Sequence, residues 1–337
     1  MKKQICILAL ISLVLQGCFY YAKTDVDLLS GVSKDLVENI IIRSPDKSKI
    51  AVIDIDGEIS LAPRSSSFFT SPSIASDVQL KLERAKNDPL VKGIILRINS
   101  PGGGVNATDT IYNEIKKFKE EKDIPIVAHC LDVAASGGYY ISMPADCIIS
   151  QPNTVIGSIG VIMVKWNVQG LVEEILKSEV SVLTAGDKKA MSSIFKSSSP
   201  EEAAIYQNLL DRVHERFINV VVEGRPGLSR DDVIGLADGR IYDGLEALAY
   251  NMVDRIGYFE DALDEVKTRA KTPYPNVVIY SRMGSETPVS YYTQGVYSNP
   301  VPITGNLNSR NFNRTGFTSG LIPQMYYLYA ADFLMAQ

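Results

Sequence analysis

Val91-Lys92-Gly93-Ile94-Ile95-Leu96-Arg97-Ile98-Asn99-Ser100-Pro101-Gly102-Gly103-Gly104 is the stretch that decides the fold of this 337-residue chain. From Val91 to Ile98 the apolar character is nearly continuous, the pattern of a strand covered on both faces. Asn99 to Gly104 then make a glycine-rich turn, after which Ala107, Ile111, Ile115 and Phe118 recur at helical spacing. A doubly covered strand, a tight turn and an amphipathic helix form one strand–helix unit of a parallel α/β sheet.

The same alternation extends in both directions. Ile50 to Ile55 is a short β-rich run ended by Asp56-Gly57. A helix capped by Ser76 puts Val78, Leu82 and Ala85 on one face before Asp88-Pro89 closes it. Downstream, Ile124 to Cys130 reads as a strand, Ser136 to Ala145 as a short helix and Cys147 to Ser150 as another strand. Thr154 to Val164 reads as extended around glycines, Leu171 to Leu176 as helical and Val180 to Leu183 as a strand. From Ser199 the pattern is mainly helical, with Ser199 as cap, Pro200 at the first helical position and Glu201 and Glu202 at the positive dipole end. Ile205, Leu209, Val213, Phe217 and Val220 supply its apolar stripe.

The ends differ from this core. Lys2 and Lys3 precede an apolar run, Ile5 to Leu15, too short to span a bilayer comfortably, so residues 1–17 read as a cleaved signal peptide. Leu15-Gln16-Gly17-Cys18 resembles a bacterial lipoprotein processing box, apart from an unusual Gln16, which makes Cys18 the candidate lipidation site. The expected location is the bacterial cell envelope, with the catalytic domain outside the cytoplasm and acyl chains on Cys18 at a membrane. Residues 18–48 read as a tether with an ill-defined helix, 49–270 as the core and 271–337 as an extension rich in Pro, Ser, Asn, Gly and Tyr. Met325-Tyr326-Tyr327-Leu328-Tyr329 within that extension is apolar enough to dock on something. A net charge of −5 without a long basic run gives a nucleic-acid partner no electrostatic support. Cys130 and Cys147 sit in apolar runs and read as small core residues, a bridge between them being allowed but not required. No cysteine or histidine spacing suggests a metal site.

Three segments have the makings of chemistry. The glycines of 102–104 let another backbone approach closely and leave N–H donors of the kind an oxyanion hole needs. Ala134-Ala135-Ser136-Gly137-Gly138-Tyr139-Tyr140 follows a strand and opens a helix, where the dipole favours developing negative charge. That segment alone leaves Ser136 open as nucleophile or as helix cap. A serine nucleophile needs a base. His129 lies in the preceding strand, directed away from the helix start, and His214 lies inside a long helix, so a Ser-His-Asp triad is not favoured. A lysine serves once burial lowers its pKa from about 10.4 toward neutrality. Leu183-Thr184-Ala185-Gly186-Asp187-Lys188-Lys189 offers two lysines at a sheet end, which by themselves read as solvated loop charges.

These residues together resemble the signal peptide peptidase A (protease IV) family. The resemblance rests on Leu82 to Ala85 through Gly104, Ala134 to Tyr140, Ile156 to Val161, Thr184 to Lys189, Gly239 to Tyr242 and Leu248 to Gly257, covering roughly residues 49–265. It implies a Clp-protease and crotonase type of α/β fold, built from repeated ββα units with outer helices. It also implies that Ser136 attacks the scissile carbonyl and that Lys189, three positions after Gly186, is the general base. Ser158 would orient the lysine amine, and the amides of Gly103 and Gly137 would bind the oxyanion. Substrates would be extended peptides such as signal peptides, no metal or other cofactor would be needed, and a homo-oligomeric ring would share each dyad between subunits. The lysine loop lacks a proline expected soon after Lys189, and the lipoprotein box replaces the family's common membrane helix. Two alternatives stand beside this reading: a crotonase-type acyl-CoA enzyme, and an inactive lipoprotein that binds peptides as a scaffold.

Overall fold

The computed structural model describes residues 36–65, 70–282 and 325–328. The expected signal peptide, the candidate lipidation site Cys18 and most of the expected tether and C-terminal extension lie outside the described residues. In chain order the first strands are β1 (Leu36–Ile42), β2 (Lys49–Asp56), the short pair β3 (Arg64–Ser65) and β4 (Thr70–Ser71), β5 (Val91–Ser100), β6 (Gly102–Gly104), β7 (Ile126–Ala135) and β8 (Cys147–Ser150). They continue with β9 (Val155–Gly157), β10 (Ile162–Met163), β11 (Ile241–Tyr242), β12 (Arg255–Ile256), β13 (Asn276–Arg282) and β14 (Met325–Leu328). The helices are α1 (Ile74–Asn87), α2 (Val105–Lys122), α3 (Gly137–Tyr140), α4 (Pro200–Gly224), α5 (Arg230–Leu236), α6 (Gly244–Ala249) and α7 (Phe259–Ala270).

The apolar runs read from the sequence become the centre of the main sheet, ordered β1-β13-β2-β5-β7-β8-β12. Strands β2, β5, β7 and β8 are parallel neighbours, and helices supply the crossovers. Alternate residues of each strand enter opposite layers. Ile94, Leu96 and Ile98 join Val78, Leu82, Ile111 and Phe118 in the larger cluster, while Ile95 meets Val52, Phe259 and Val266 in the smaller one. Burying each such side chain contributes roughly 1.5–3 kcal/mol relative to exposure, while the buried Arg97 is held by an ion pair with Asp54.

Helix α1 starts one turn earlier than the sequence suggests, because Ser73 rather than Ser76 caps it: the Ser76 N–H donates to Ser73 Oγ at 3.1 Å. Helix α4 starts as expected, with a reciprocal capping box between Ser199 and Glu202. Its buried residues are concentrated near the C-terminal end, at Phe217, Ile218, Val220 and Val221, so the first half of the stripe stays largely uncovered.

Four segments depart from expectation. β1 occupies part of the expected tether, and β13 slots between β1 and β2, antiparallel to the first and parallel to the second. The sheet therefore reaches beyond the 49–270 span on both sides. Val180 to Leu183 is not a strand: it has no pairing partner among the described residues, and Leu183 is 94% exposed. Leu171–Ile175 winds as a π-helical turn. Cys130 and Cys147 are free thiols in opposite layers of the sheet, so no bridge joins them.

Candidate active site

Strand β7 ends at Ala135 and α3 begins at Gly137, leaving Ser136 to make the turn with φ 51° and ψ −115°. Such a conformation costs a non-glycine residue on the order of 1–3 kcal/mol and persists only where its surroundings impose it. The Ser136 N–H donates to the Gly157 carbonyl at 2.7 Å, and the Ser136 carbonyl accepts from Tyr140 N–H at 2.9 Å. Gly138 lets the start of α3 press onto the carbonyl of Ser100, where a Cβ would lie only 2.5 Å from that oxygen. The outcome is a buried serine hydroxyl that has no hydrogen-bond partner among the described residues. A sharp strand-to-helix turn that presents a hydroxyl in this way is a nucleophile elbow in form. Ser136 does not act as a side-chain cap, the other role its segment left open, since no backbone N–H bonds to its Oγ.

Strand β6 forms a second wall beside α3. The Ile59 N–H donates to the Gly102 carbonyl at 2.7 Å, and the Gly104 N–H donates to the Ile59 carbonyl at 2.9 Å. In a parallel bridge of this kind, the intervening residue turns its own N–H and C=O to the opposite edge. Gly103 therefore turns its own N–H and C=O away from Ile59, toward β14, where its partner in the antiparallel pair is Tyr327, and a Cβ on it would lie 2.0 Å from the Ile59 oxygen. Ser100 pins the turn by donating from Oγ to the Gly57 carbonyl at 2.7 Å and accepting from Gly102 N–H at 3.1 Å. The N–H of Gly137, first in its helix, has no intrahelical acceptor.

Ser158 comes to the same region because β9 runs parallel to β7, with Gly157 opposite Ala135. It is buried, has φ 51°, and its N–H donates to the Arg240 carbonyl at 2.7 Å. Ser136, Gly137, Gly103 and Ser158 thus gather at one end of the sheet. Lys189 does not join them within the chain. It is exposed, its side chain makes no hydrogen bond among the described residues, and its N–H donates to the Gly186 carbonyl at 3.0 Å. Lys188 instead pairs with Glu201, whose carboxylate hydrogen bond holds the Lys188 ammonium above its ordinary pKa.

Neither histidine serves Ser136. His129 points into the other layer, its ring 6.1 Å from that of Phe259, and burial followed by the charge of Arg97 pushes its pKa down to about 4. His214 is half-buried on α4. Among the described residues no group of three or more His, Cys, Asp or Glu side chains could hold a metal ion. Ile59 and Ser100, which fix the glycine turn, were not singled out from the sequence. Their contribution runs through backbone atoms and one hydroxyl, and only the position of Ser100 inside Asn99 to Gly104 hinted at it.

Residues 118–272 match peptidase family S49, and residues 70–165 match Clp protease. An Enterococcus faecium protein carrying the provisional name signal peptide peptidase SppA is 33% identical over 297 residues, covering 88% of this chain and 86% of that protein. The chain belongs to peptidase family S49. Protease 4 of Salmonella typhi is 35% identical over 191 residues, 57% of this chain and 30% of that longer protein. The chloroplastic serine protease SPPA of Arabidopsis thaliana is 30% identical over 227 residues, 67% of this chain and 33% of that protein. As an S49 peptidase of the SppA and protease 4 group, the chain is a serine endopeptidase on a Clp-type α/β fold, as the resemblance implied. Membership sets aside the acyl-CoA alternative.

Proposed function

We propose that this S49 peptidase cleaves extended apolar peptides, signal peptides among them, at a membrane surface, with Ser136 as nucleophile and Lys189 of an adjacent subunit as base. The observation that carries the reading is the Ser136 turn: a buried hydroxyl without a partner among the described residues, at the same end of the sheet as the amide of Gly103 and the first amide of α3. Donors held in place before reaction stabilise an oxyanion without reorganising, typically by about 3–4 kcal/mol for one donor.

The steps follow from these positions. Ser136 Oγ attacks the scissile carbonyl carbon and its proton passes to the lysine amine. The negative oxygen of the tetrahedral adduct sits against Gly103 N–H and Gly137 N–H. Collapse expels the amine half of the peptide, which takes the proton from the lysine. Water, deprotonated by the same amine, then hydrolyses the Ser136 ester. Ser158 orients the amine.

An exposed lysine cannot perform the first transfer while it is an ammonium, so the base must be covered by something outside the single chain. Trp166, Leu171, Ile175, Leu176, Val182 and Leu183 are all exposed along the segment that carries Lys189. Apolar surface concentrated in this way marks an interaction site. A homo-oligomeric ring, each subunit lending its lysine segment to the next, covers that surface and supplies the base together. Lys188 is disfavoured for the role, because Glu201 keeps it charged.

Membrane attachment is assigned to lipid on Cys18, in the bacterial cell envelope and with the catalytic domain outside the cytoplasm. Among the described residues no helix is long and apolar enough to cross a membrane. The test is hydrolysis of an apolar model peptide together with labelling by a fluorophosphonate. Ser136→Ala should abolish both, Lys189→Ala should lower kcat at least about 10³-fold, and Lys188→Ala should stay near wild type. Full labelling of Ser136→Ala, or loss of activity in Lys188→Ala alone, would refute the assignment. Absence of labelling in the assembled wild type would favour the inactive scaffold.

A further inference from the structure

The pairing of β5 with β7 breaks register just before the two strands deliver the site. Ile98 stands opposite Cys130, and the next registered pair is Ser100 with Ala134. One residue of β5, Asn99, therefore faces Leu131, Asp132 and Val133 of β7. A bulge of this kind leaves backbone groups without ladder partners and bends the strand that carries it. The strand bent here leads through Ala134 and Ala135 into the Ser136 turn.

Side chains mend the break from both sides. Toward β9, the buried Thr154 donates from Oγ1 to the Leu131 carbonyl. Toward β5, the Val133 N–H donates to Asn99 Oδ1 at 3.3 Å. The same amide group donates from Nδ2 to Asp56 Oδ1 on β2 at 3.1 Å, and the Asn99 main-chain carbonyl accepts from Gly57 N–H at 2.9 Å. A backbone N–H only donates and an ionised carboxylate only accepts, so these two neighbours fix which way the Asn99 amide faces. Asn99 thus ties β2, β5 and β7 together at the end of the sheet where the site lies. Four residues on from it is Gly103, and three on from Val133 is Ser136.

We infer that Asn99 is a positioning residue of the peptidase: its side chain holds the bulged strand behind Ser136 in register with the turn that carries Gly103, and so sets the separation of nucleophile and oxyanion donor. This role rests on the reading of Ser136 as nucleophile and Gly103 as donor. Asn99 acts through the backbone of its neighbours, so its loss belongs in turnover rather than in peptide binding. A misplacement of about 1 Å is enough to slow a reaction about 10²-fold.

The test uses the full chain, with kcat and KM on an apolar model peptide and the rate of fluorophosphonate labelling as readouts. Asn99→Leu keeps the size of the side chain and leaves the Val133 N–H unpaired. Asn99→Asp keeps an acceptor for Val133 but sets a second carboxylate against Asp56. Each should lower kcat and the labelling rate about 10²-fold with KM little changed. Combining Asn99→Asp with Asp56→Asn exchanges the partners, so that an amide at position 56 donates to a carboxylate at position 99, which still accepts from Val133. The exchange should recover at least about tenfold in kcat over Asn99→Asp alone. Val266→Ala, a truncation in the smaller core cluster on the other layer, lowers stability without touching the bulge and should keep wild-type kcat. Wild-type kcat in Asn99→Leu, no recovery in the exchanged pair, or an equal loss of kcat in Val266→Ala would each overturn the role. With the wild type labelled at Ser136, those outcomes count against Asn99 alone. A wild-type chain that is neither labelled nor active refutes the nucleophile reading, and the positioning role falls with it.

Discussion

Gly103 has no room for even one added carbon, and the reason is backbone rather than side chain: Ile59 crosses it with its carbonyl and amide both in contact range. In Gly103→Ala the methyl would have to displace a main-chain segment, shifting the amide proposed as an oxyanion donor. Hydrolysis of a model peptide should fall at least about 100-fold, the scale of losing one oxyanion donor, and thermal melting should show a loss of about 1–3 kcal/mol from overpacking. Wild-type kcat in Gly103→Ala would remove this glycine from the catalytic scheme. His129 makes a different point about single residues. Buried against Phe259 and near Arg97, with Glu260 and Asp261 acting weakly in the opposite sense, it stays neutral in the fold down to pH about 4. The unfolded chain protonates it from about pH 6.5 downward. Between those two values the unfolded state binds more protons, so stability should drop as pH falls from 6.5 toward 4, by up to about 1.4 kcal/mol for each unit of the shift. His129→Leu should flatten that part of the profile in urea titrations at pH 7, 5.5 and 4.5. An identical slope in both chains would show that another group controls it.

Elements explain what was legible in the sequence and what was not. β5, β7 and β8 announce themselves because both of their faces are buried, leaving predominantly apolar runs. The turns at Gly102 to Gly104 and at Ser136 were readable for the same local reason, since glycine and small residues follow a strand directly. β13 was hidden by its company: Asn276–Arg282 is apolar enough, but the Pro- and Ser-rich composition around it reads as an extension. β1 was hidden because its burial is partial and its partner lies some 240 residues away. Lys189 shows the limit most plainly, because the burial a basic lysine requires cannot be found within its own segment. The importance of β13 can be checked. Arg282 at its end reaches Asp77 on α1 at 3.2 Å, and Lys81 meets the same carboxylate at 2.7 Å. Burial alone would raise the Asp77 pKa, yet the two cations hold it below the ordinary value. Removing that carboxylate leaves a buried guanidinium with one fewer counter-charge, a change that costs about 3–5 kcal/mol where buried pairs are broken. Asp77→Asn should lower the melting temperature on the order of 10 °C, and a chain ended at residue 270 should fail to fold while one spanning 36–282 stays soluble. A stable, cooperative 49–270 fragment would contradict the role given to β13.

For the molecule as a whole, the decisive question is whether one chain or two make the site. Ser136 sits in the rigid sheet end, whereas Lys189 lies on a segment whose apolar residues face outward and whose backbone bonds mainly to itself, as where the Val168 N–H meets the Ile194 carbonyl. A head-to-tail ring turns that arrangement into an advantage, because the surface presented by each subunit differs from the surface that receives it. The two possibilities separate by mixing. If each dyad is drawn from neighbouring subunits, Ser136→Ala and Lys189→Ala chains unfolded and refolded together in equal amounts should recover about a quarter of wild-type turnover, since half of the serine positions and half of the lysine positions in a closed ring are intact independently. Each variant refolded alone should stay inactive. If both groups come from the same chain, no mixture contains an intact site, and the mixed sample should be as silent as its components. Recovery that rises with protein concentration, and disappears when Leu183→Asp is added to both chains, would tie the restored activity to assembly through the lysine segment. Recovery that ignores this substitution would place the subunit contact elsewhere.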